Sequence, residues 1–322
     1  MGKFIKKIAA FFGWIYGGYL LLVLLFILFF RLGPLGFHPD HGTFAQDYQQ
    51  AFAKRNADML LVGSSRMAAS LDADAISKEL GLKCYNLAFN QANLTYVHDV
   101  LSAYLAKGAE VPTYVVLDVS WFSFDDWRLS YKEYAANFIY QHPEVFYKDL
   151  LLNKNNALGS AGLTLARSME RQGGDYVDFD TRRNRWTDQD STKVNYEFSP
   201  SDPGFLRTFP GGKASVMPKE IEALEQIISL LKEYGVTLVF YTSPEDRTFS
   251  ENQQNRGEVY RILEKAVKGK VWLDYSWGGR YYRPDYENWL NDSHHIYFKK
   301  RFTHVFLNHF KAHFPNHMDV SQ

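Results

Sequence analysis

The sequence predicts an α/β fold, in which a parallel sheet of about five strands carries helices on both faces. Short apolar runs rich in Val, Ile, Leu, Phe and Tyr alternate with longer segments whose apolar residues recur at helical spacing. Glycines follow several of the helical segments and so mark their ends. The connections between the two kinds of segment are short, which is typical of repeated β-then-α units with parallel strands.

The elements of this sheet can be placed along the chain. Apolar runs predict five strands: 58–62, Lys83–Leu87, Thr113–Val119, Val236–Tyr241 and Lys270–Asp274. Periodic segments predict five helices: Leu71–Leu80, Thr95–Lys107, Pro218–Tyr234, Gly257–Val267 and Lys299–Phe314. The third strand has almost no polar alternation, as expected of a strand buried on both faces. Right-handed crossovers between these strands would make the fold flavodoxin-like.

An apolar segment precedes the sheet. From Ile8 to Phe30 the chain has 23 residues without a charged side chain, enough at about 1.5 Å per residue to cross a hydrocarbon core of roughly 30 Å. A cleaved signal peptide would have a shorter apolar region and a small-x-small cleavage site, so we predict a retained anchor at 1–32. Only Arg31 follows closely, whereas three lysines precede the segment: Lys3, Lys6 and Lys7. The positive-inside rule therefore predicts a single-pass membrane protein with a cytoplasmic amino terminus and a periplasmic or extracellular domain.

The rest of the chain divides into three parts. Residues 33–56 begin with a stretch rich in Gly and Pro and continue as a predicted helix, forming a juxtamembrane linker. The predicted globular domain spans 57–314, with a tail at 315–322. Inside the domain the alternation of strands and helices lapses over about residues 122–217, which is too long for a bare loop. This insertion is either a lid or partner-docking surface, or a structural elaboration.

Composition excludes some classes of function. Lysines plus arginines equal aspartates plus glutamates, at 36 each, so no net charge favours nucleic acid as a partner. The only cysteine, Cys84, lies in an apolar run, which excludes an internal disulfide and a metal site of several cysteines. His294 and His295 are adjacent but have few carboxylates nearby, and His309 and His313 are interpreted as part of a solvated helix face. We therefore predict neither a metal nor a cofactor.

Two short motifs carry the candidate chemistry. Gly63-Ser64-Ser65 directly follows the first strand, a setting that exposes a serine hydroxyl at the carboxyl edge of a parallel sheet. Asp292 and His295 are three residues apart after the last strand, so the carboxylate can orient the imidazole. Since the carboxyl ends of parallel strands share one edge, we expect His295 to act as the base for Ser65, with Asp292 behind it.

These motifs resemble those of the SGNH/GDSL hydrolase superfamily, over roughly residues 57–314. The family has its nucleophile in a Gly-Asp-Ser motif after the first strand and an Asp-x-x-His pair before the last helix. Ser64 stands here in place of the family's aspartate. The resemblance implies a catalytic triad of Ser65, His295 and Asp292.

The resemblance also implies groups that would bind the oxyanion and the substrate. The family's Asn-x-Gly block corresponds to residues 86–88, where Ala88 replaces the glycine and still offers a backbone N–H. The family's Gly-x-Asn-Asp block after the third strand is not recognisable, so Asn90 or Asn93 is predicted as the side-chain donor. Arg66, next to the nucleophile, is interpreted either as a contact for an anionic substrate or as a partner in an ion pair.

The Gly-Ser-Ser form, the anchor and the exported domain together are most similar to one branch of the superfamily, the DltD-like and alginate O-acetylation proteins. This similarity implies a membrane-bound O-acyltransferase as partner and an acyl group moved onto a cell-envelope or exported polysaccharide. An acyl-serine can pass its group to a sugar hydroxyl or to water, so transferase and esterase both stay open. The alternative is a catalytically degenerate domain that binds glycan or a membrane O-acyltransferase.

Overall fold

A computed structural model of the chain describes the greater part of the predicted globular domain. The described residues are 6–7, 10–11, 13–18, 21, 25, 51–52, 54–89, 92–105, 109–125, 210–290, 295–296 and 298–315. Most of the predicted anchor, linker and insertion lies outside them, as do the predicted site residues Asn90 and Asp292. The described residues between 6 and 25 are helical, but none of the helices in the described ranges is long and apolar enough to cross a membrane.

The sheet of the described residues has five strands. They are β1 (Met59–Val62), β2 (Cys84–Asn86), β3 (Tyr114–Asp118), β4 (Thr237–Thr242) and β5 (Val271–Asp274). The order across the sheet is β2-β1-β3-β4-β5, and every neighbouring pair is parallel. The predicted α/β fold with about five parallel strands is confirmed, and the strand order is compatible with a flavodoxin-like fold. In this order the chain changes direction across the sheet between β1 and β3, which is where such folds bind ligands at the carboxyl ends of the strands.

The α-helices of the described ranges follow the strands in chain order. They are α1 (Ser65–Ser70), α2 (Ala73–Leu80), α3 (Leu94–Leu105), α4 (Pro218–Glu233), α5 (Arg247–Glu251), α6 (Arg256–Val267) and α7 (Lys299–His313). All five predicted helices are present, and each begins within two residues of its predicted start. The carboxylates of Asp72 and Asp246 accept from the N–H groups of Ala75 and Phe249, which stabilises the first turns of α2 and α5.

Successive strand residues face two separate hydrophobic clusters. Leu60, Val115 and Phe240 pack with residues of α3, α4 and α6 in one cluster. Leu61 and Val116 belong to the other cluster, with residues of α1, α2 and α7. Each fully buried aliphatic or aromatic side chain contributes about 1.5–3 kcal/mol of hydrophobic stabilisation. Because helices cover both faces of the sheet, the strand ends are left as the place for polar chemistry.

The structure differs from the prediction in the residues after β1. The sequence predicts a turn and then a helix from Leu71, whereas α1 already begins at Ser65. The Ser64 side chain caps this helix by accepting from the Arg66 N–H at 3.3 Å. Leu71 is extended and fully buried, which separates α1 from α2. A helix of six residues is too short for a hydrophobic period to reveal it.

The described ends of the predicted insertion are held together at its base. The Asn255 side chain accepts from the Ala214 N–H at 3.1 Å and donates to the Ala214 carbonyl at 2.8 Å. Its oxygen also accepts from the Trp121 indole N–H at 2.9 Å. The Met217 N–H donates to the Phe124 carbonyl at 2.9 Å. Both ends are therefore anchored just after β3, on the side of the sheet where the strands end.

Candidate active site

Polar residues collect at the carboxyl ends of four neighbouring strands. Ser64 and Ser65 follow β1, and Asp118 is the last residue of β3. Ser243 follows β4 directly, and Asp274 is the last residue of β5. Because all these strands are parallel, the groups share one edge of the sheet. This edge is the candidate active site.

Ser65 and His295 meet at this edge. The Nε2 atom of His295 lies 2.9 Å from the Oγ atom of Ser65, although the two residues are 230 positions apart in the chain. Both side chains are half-buried. Leu290 pairs with Ile296 in an isolated antiparallel bridge, which fixes the backbone next to His295. This distance is within hydrogen-bond reach, as a general base requires for the proton of a serine nucleophile.

The predicted oxyanion donor Ala88 lies close to the end of β2. Its N–H donates to the side-chain oxygen of Asn86 at 3.0 Å, and both residues are buried. The chain continues alongside β1, since the Phe89 N–H donates to the Gly63 carbonyl at 2.9 Å. An asparagine side chain commonly accepts from the N–H two residues later. In this structure, therefore, the Ala88 N–H is bonded within the chain.

Asn93 has a structural position at the start of α3. Its side-chain oxygen accepts from the Tyr96 N–H at 2.9 Å, and its amide nitrogen donates to Glu220 at 3.1 Å. The Glu220 carboxylate also accepts from the Thr95 N–H and hydroxyl, both at 2.9 Å. Burial raises the pKa of the Glu220 carboxyl despite these hydrogen bonds. The oxygen of Asn93 thus caps α3 and its amide nitrogen joins α3 to α4, so both polar ends are engaged within the fold.

The Arg66 side chain is completely buried, with 0 % of its surface exposed. Its Nε atom donates to the Ser243 hydroxyl at 2.7 Å, and another guanidinium nitrogen donates to the Ser243 carbonyl. The third nitrogen lies 3.3 Å from a carboxylate oxygen of Glu245. The guanidinium also lies over the Phe122 ring, 5.4 Å from its centroid. Of the two interpretations of Arg66, the ion pair agrees with this position.

Glu245 joins two arginines in a buried network. Its second carboxylate oxygen pairs with Arg256 and accepts from the Ser250 hydroxyl at 2.8 Å. Burial by itself would raise the pKa of the Glu245 carboxyl, but the two guanidinium groups outweigh it and hold that pKa below its ordinary value. Arg256 continues the network to the Ser276 hydroxyl at 3.0 Å. Residues after β1, β4 and β5 are thereby connected beneath the candidate site.

Asp274 ends this network on β5. The Ser276 hydroxyl and N–H donate to the same Asp274 oxygen, at 2.6 and 3.0 Å. Burial raises the pKa of the Asp274 carboxyl to about 6, although the bonds from Ser276 and the charge of Arg256 oppose that shift. Gly279 packs so closely over the carboxylate that a Cβ atom there would overlap it. The loop after β5 therefore closes over Asp274.

Gly63 and Asp118 are packed against each other at the turn that presents Ser65. The φ angle of Gly63 is +145°, a conformation that residues with side chains rarely adopt. A Cβ atom at this position would lie less than 3.0 Å from the Cβ atom of Asp118. Glycine is therefore required at position 63 both by the backbone angle and by the space.

Replacing Gly63 with alanine should lower the free energy of unfolding by about 3 kcal/mol or more, because backbone strain adds to overpacking. Gly81 is the matched control, since its φ is +66° but its Cβ position is open. Its change to alanine should cause strain alone and lower the free energy of unfolding by about 1–2 kcal/mol. Urea unfolding followed by tryptophan fluorescence measures both values. Equal losses in the two variants would contradict the packing argument.

The sequence singles out Asp118 only as a strand-end carboxylate that either orients the site or is structural, and it does not predict which side chains meet at the site. The bond from Ser64 to Asp118 and the contacts of Arg66 with Ser243 and Glu245 are not signalled by any motif. The one available signal is position, because each of these partners ends a strand or follows it closely. Among the described residues, no group of three or more His, Cys, Asp or Glu side chains is arranged to hold a metal ion.

Comparisons with known proteins do not identify a family. No protein-family model matches the chain, and a search of curated proteins finds no match either. The functional reading of the site therefore depends on its own geometry.

Proposed function

We propose that the chain is a membrane-anchored extracytoplasmic serine acyltransferase or esterase of the SGNH type. It would act on O-acyl groups of a cell-envelope or exported polysaccharide. The observation that carries this proposal is the distance of 2.9 Å between His295 Nε2 and Ser65 Oγ. A serine at the end of β1 and a histidine before the last helix stand in the order that the resemblance implies.

The proposed reaction forms and breaks an ester at Ser65. Its Oγ atom attacks the carbonyl carbon of an acyl donor while His295 Nε2 takes the hydroxyl proton. The tetrahedral intermediate then expels the leaving alcohol or thiol, which receives that proton, and leaves an acyl-serine. In the second half, His295 takes a proton from a sugar hydroxyl or a water molecule, whose oxygen attacks the acyl group. The bond between the acyl carbon and Ser65 Oγ then breaks, and His295 returns the proton to Oγ. The proposal assigns Asp292 as the carboxylate that orients the imidazole.

Oxyanion stabilisation is assigned first to the N–H of Ser65, at the amino end of α1. The Ala88 N–H would contribute only if its bond to the Asn86 side chain were shared or exchanged in the transition state. Loss of one such donor typically raises the barrier by about 2.7–4 kcal/mol. In the proposed enzyme the oxyanion site would therefore be completed only when substrate or partner binds.

The proposed reaction takes place at the outer face of a membrane. The anchor at 1–32 would hold the domain at the outer face of a membrane, beside a membrane-bound O-acyltransferase that supplies the acyl group. The acceptor would be a hydroxyl of the polysaccharide, and hydrolysis would be the outcome where water reaches the acyl-serine first.

The alternative is a degenerate domain that binds glycan or the membrane partner without turnover. The observation that favours it is the engagement of two of the proposed oxyanion donors. The Ala88 N–H is bonded to Asn86, and the Asn93 amide is bonded to Glu220. A domain left with the Ser65 N–H as its single donor would bind an ester but accelerate its cleavage little.

The test is intact-mass spectrometry of the full chain in detergent after incubation with p-nitrophenyl acetate or a fluorophosphonate. We expect one acetyl or phosphonyl adduct, which is absent in the Ser65→Ala variant. Ser102→Ala is the matched control, because Ser102 is also half-buried and lies near a histidine, at 3.4 Å from His98 Nε2, but both residues belong to α3. An adduct that persists in Ser65→Ala, or no adduct with either reagent, would favour the binding domain.

A further inference from the structure

The carboxylate of Asp118 lies directly against the turn that presents Ser65. Its Oδ2 atom accepts from the Ser64 hydroxyl at 2.7 Å, and the Ser64 N–H points to the same oxygen at 3.4 Å. Asp118 is 4 % exposed, and its Oδ1 atom has no hydrogen-bond partner among the described residues. Every hydrogen bond described for this carboxylate therefore goes to Ser64.

We propose that Asp118 is a positioning residue for the nucleophile, which acts through Ser64. This inference rests on the proposed function of Ser65. Asp118 contacts neither reacting atom, since its bonds end on the residue before the nucleophile. Its role would be to hold the backbone turn at residues 63–65 so that the Ser65 hydroxyl stays in reach of His295.

The direction of the hydrogen bonds gives Asp118 this role. An ionised carboxylate only accepts, so the Ser64 hydroxyl must donate its proton to Oδ2. The lone pairs of the Ser64 oxygen are then left for the Arg66 N–H, which lies 3.3 Å away in the first turn of α1. Asp118 thereby fixes the rotation of the Ser64 side chain and, through it, the start of the helix on which Ser65 stands. A hydrogen bond to an ionised acceptor is about twice as strong as one to a neutral acceptor, so it holds the Ser64 side chain in this rotamer.

Backbone packing supports the same conclusion independently of the hydrogen bonds. Gly63 lies so close to the Cβ atom of Asp118 that only glycine fits there. Gly63 and Ser64, the two residues that directly follow β1, are thus both in contact with one side chain at the end of β3. A shift of this turn would therefore either press Gly63 against Asp118 or break the hydrogen bond from Ser64 to its carboxylate.

The experiment compares four single variants and one double variant of the full-length chain in their reaction with the fluorophosphonate. The single variants are Asp118→Ala, Asp118→Asn, Ser64→Ala and Asp58→Ala, and the double variant combines Asp118→Ala with Ser64→Ala. Saturation kinetics separate the maximal rate of phosphonylation from the concentration at half-maximal rate. Asp58 is the matched control, because its carboxylate also joins two strand ends, accepting from the Lys83 N–H at 2.7 Å, but at the opposite edge of the sheet.

We expect Asp118→Ala and Ser64→Ala each to lower the maximal rate about 100-fold, with the half-saturating concentration unchanged, as for a nucleophile displaced by about 1 Å. Asp118→Asn keeps an oxygen for the Ser64 hydroxyl and should lose roughly tenfold or less. Asp58→Ala should react at the wild-type rate. In the double variant of Asp118 and Ser64 the losses should not multiply, since both changes remove one hydrogen bond.

Three outcomes would overturn the inference while leaving the proposed function intact. They are a wild-type maximal rate in Ser64→Ala or folded Asp118→Ala, equal losses in Asp118→Asn and Asp118→Ala, and losses that multiply in the double variant. If Asp118→Ala does not fold, the Ser64→Ala and Asp118→Asn variants decide the question. A wild-type chain that forms no adduct would contradict the proposed function itself, and this inference with it.

Discussion

Replacing His295 with glutamine should slow acylation of Ser65 by about 10⁴–10⁶-fold. The histidine Nε2 atom lies 2.9 Å from the serine oxygen, and it is the only group described within hydrogen-bond distance of that oxygen. Without this base the serine stays a neutral hydroxyl, which is a poor nucleophile at neutral pH. The release of p-nitrophenol from p-nitrophenyl acetate measures the loss, with intact mass as the second readout.

The matched control is His304→Gln, because His304 is an exposed histidine of α7, the helix that begins shortly after His295. Its replacement should leave the rate unchanged. The free energy of unfolding of both variants should stay close to that of the wild type, since neither side chain is part of the hydrophobic core. A His295→Gln variant that reacts at even a tenth of the wild-type rate would remove the histidine from the mechanism.

The pairing of Ser65 with His295 could be predicted from sequence because topology decides it. Apolar runs without polar alternation indicate strands covered on both faces, and such strands are parallel in α/β folds. Their carboxyl ends then share one edge, so two motifs that each follow a strand must come close. The 230 positions between the two residues do not affect this argument, since it uses strand ends and not chain distance.

The partners of Arg66 and Asn93 could not be predicted in the same way. Both residues lie beside a motif, and an exposed polar group beside a motif is indistinguishable in sequence from a buried one. Arg66 finds Ser243 at a separation of 177 positions, and Asn93 finds Glu220 at 127. Which side chains meet across the sheet depends on packing and rotamers, which no local pattern encodes.

The bond between Ala88 and Asn86 is a different case, because a local signal was available. Asparagine side chains commonly accept from the N–H two residues later, and the spacing from Asn86 to Ala88 fits this pattern. The same two positions carry the resemblance to the family's oxyanion block. Local hydrogen-bond geometry predicts that the Ala88 N–H bonds to the Asn86 side chain, whereas the resemblance implies that it binds an oxyanion. In the structure this N–H is bonded to Asn86.

Replacing Glu245 with glutamine should lower the free energy of unfolding by about 3–5 kcal/mol. The change leaves two guanidinium groups, those of Arg66 and Arg256, without the carboxylate that they share in the interior. Arg66 has no exposed surface and cannot regain water, so its charge would stay buried without a counter-charge. Urea unfolding measures the loss, and the same substitution in the exposed pair of Glu251 with Arg247 should change stability little.

Substitutions of different residues in the buried network around Glu245 should lower the free energy of unfolding by different amounts. Arg66→Met removes a buried cation, but Glu245 keeps Arg256 and the Ser250 hydroxyl, so no charge is left unpaired. We therefore expect Arg66→Met to destabilise the fold less than Glu245→Gln does. If the arginine variant were the less stable of the two, the main contribution of Arg66 would be its packing on Phe122 and its bonds to Ser243, and not its charge. Arg66 immediately follows Ser65 and bonds to Ser243 after β4. The loss in free energy of unfolding in Arg66→Met therefore measures how much these contacts stabilise the turn that carries Ser65.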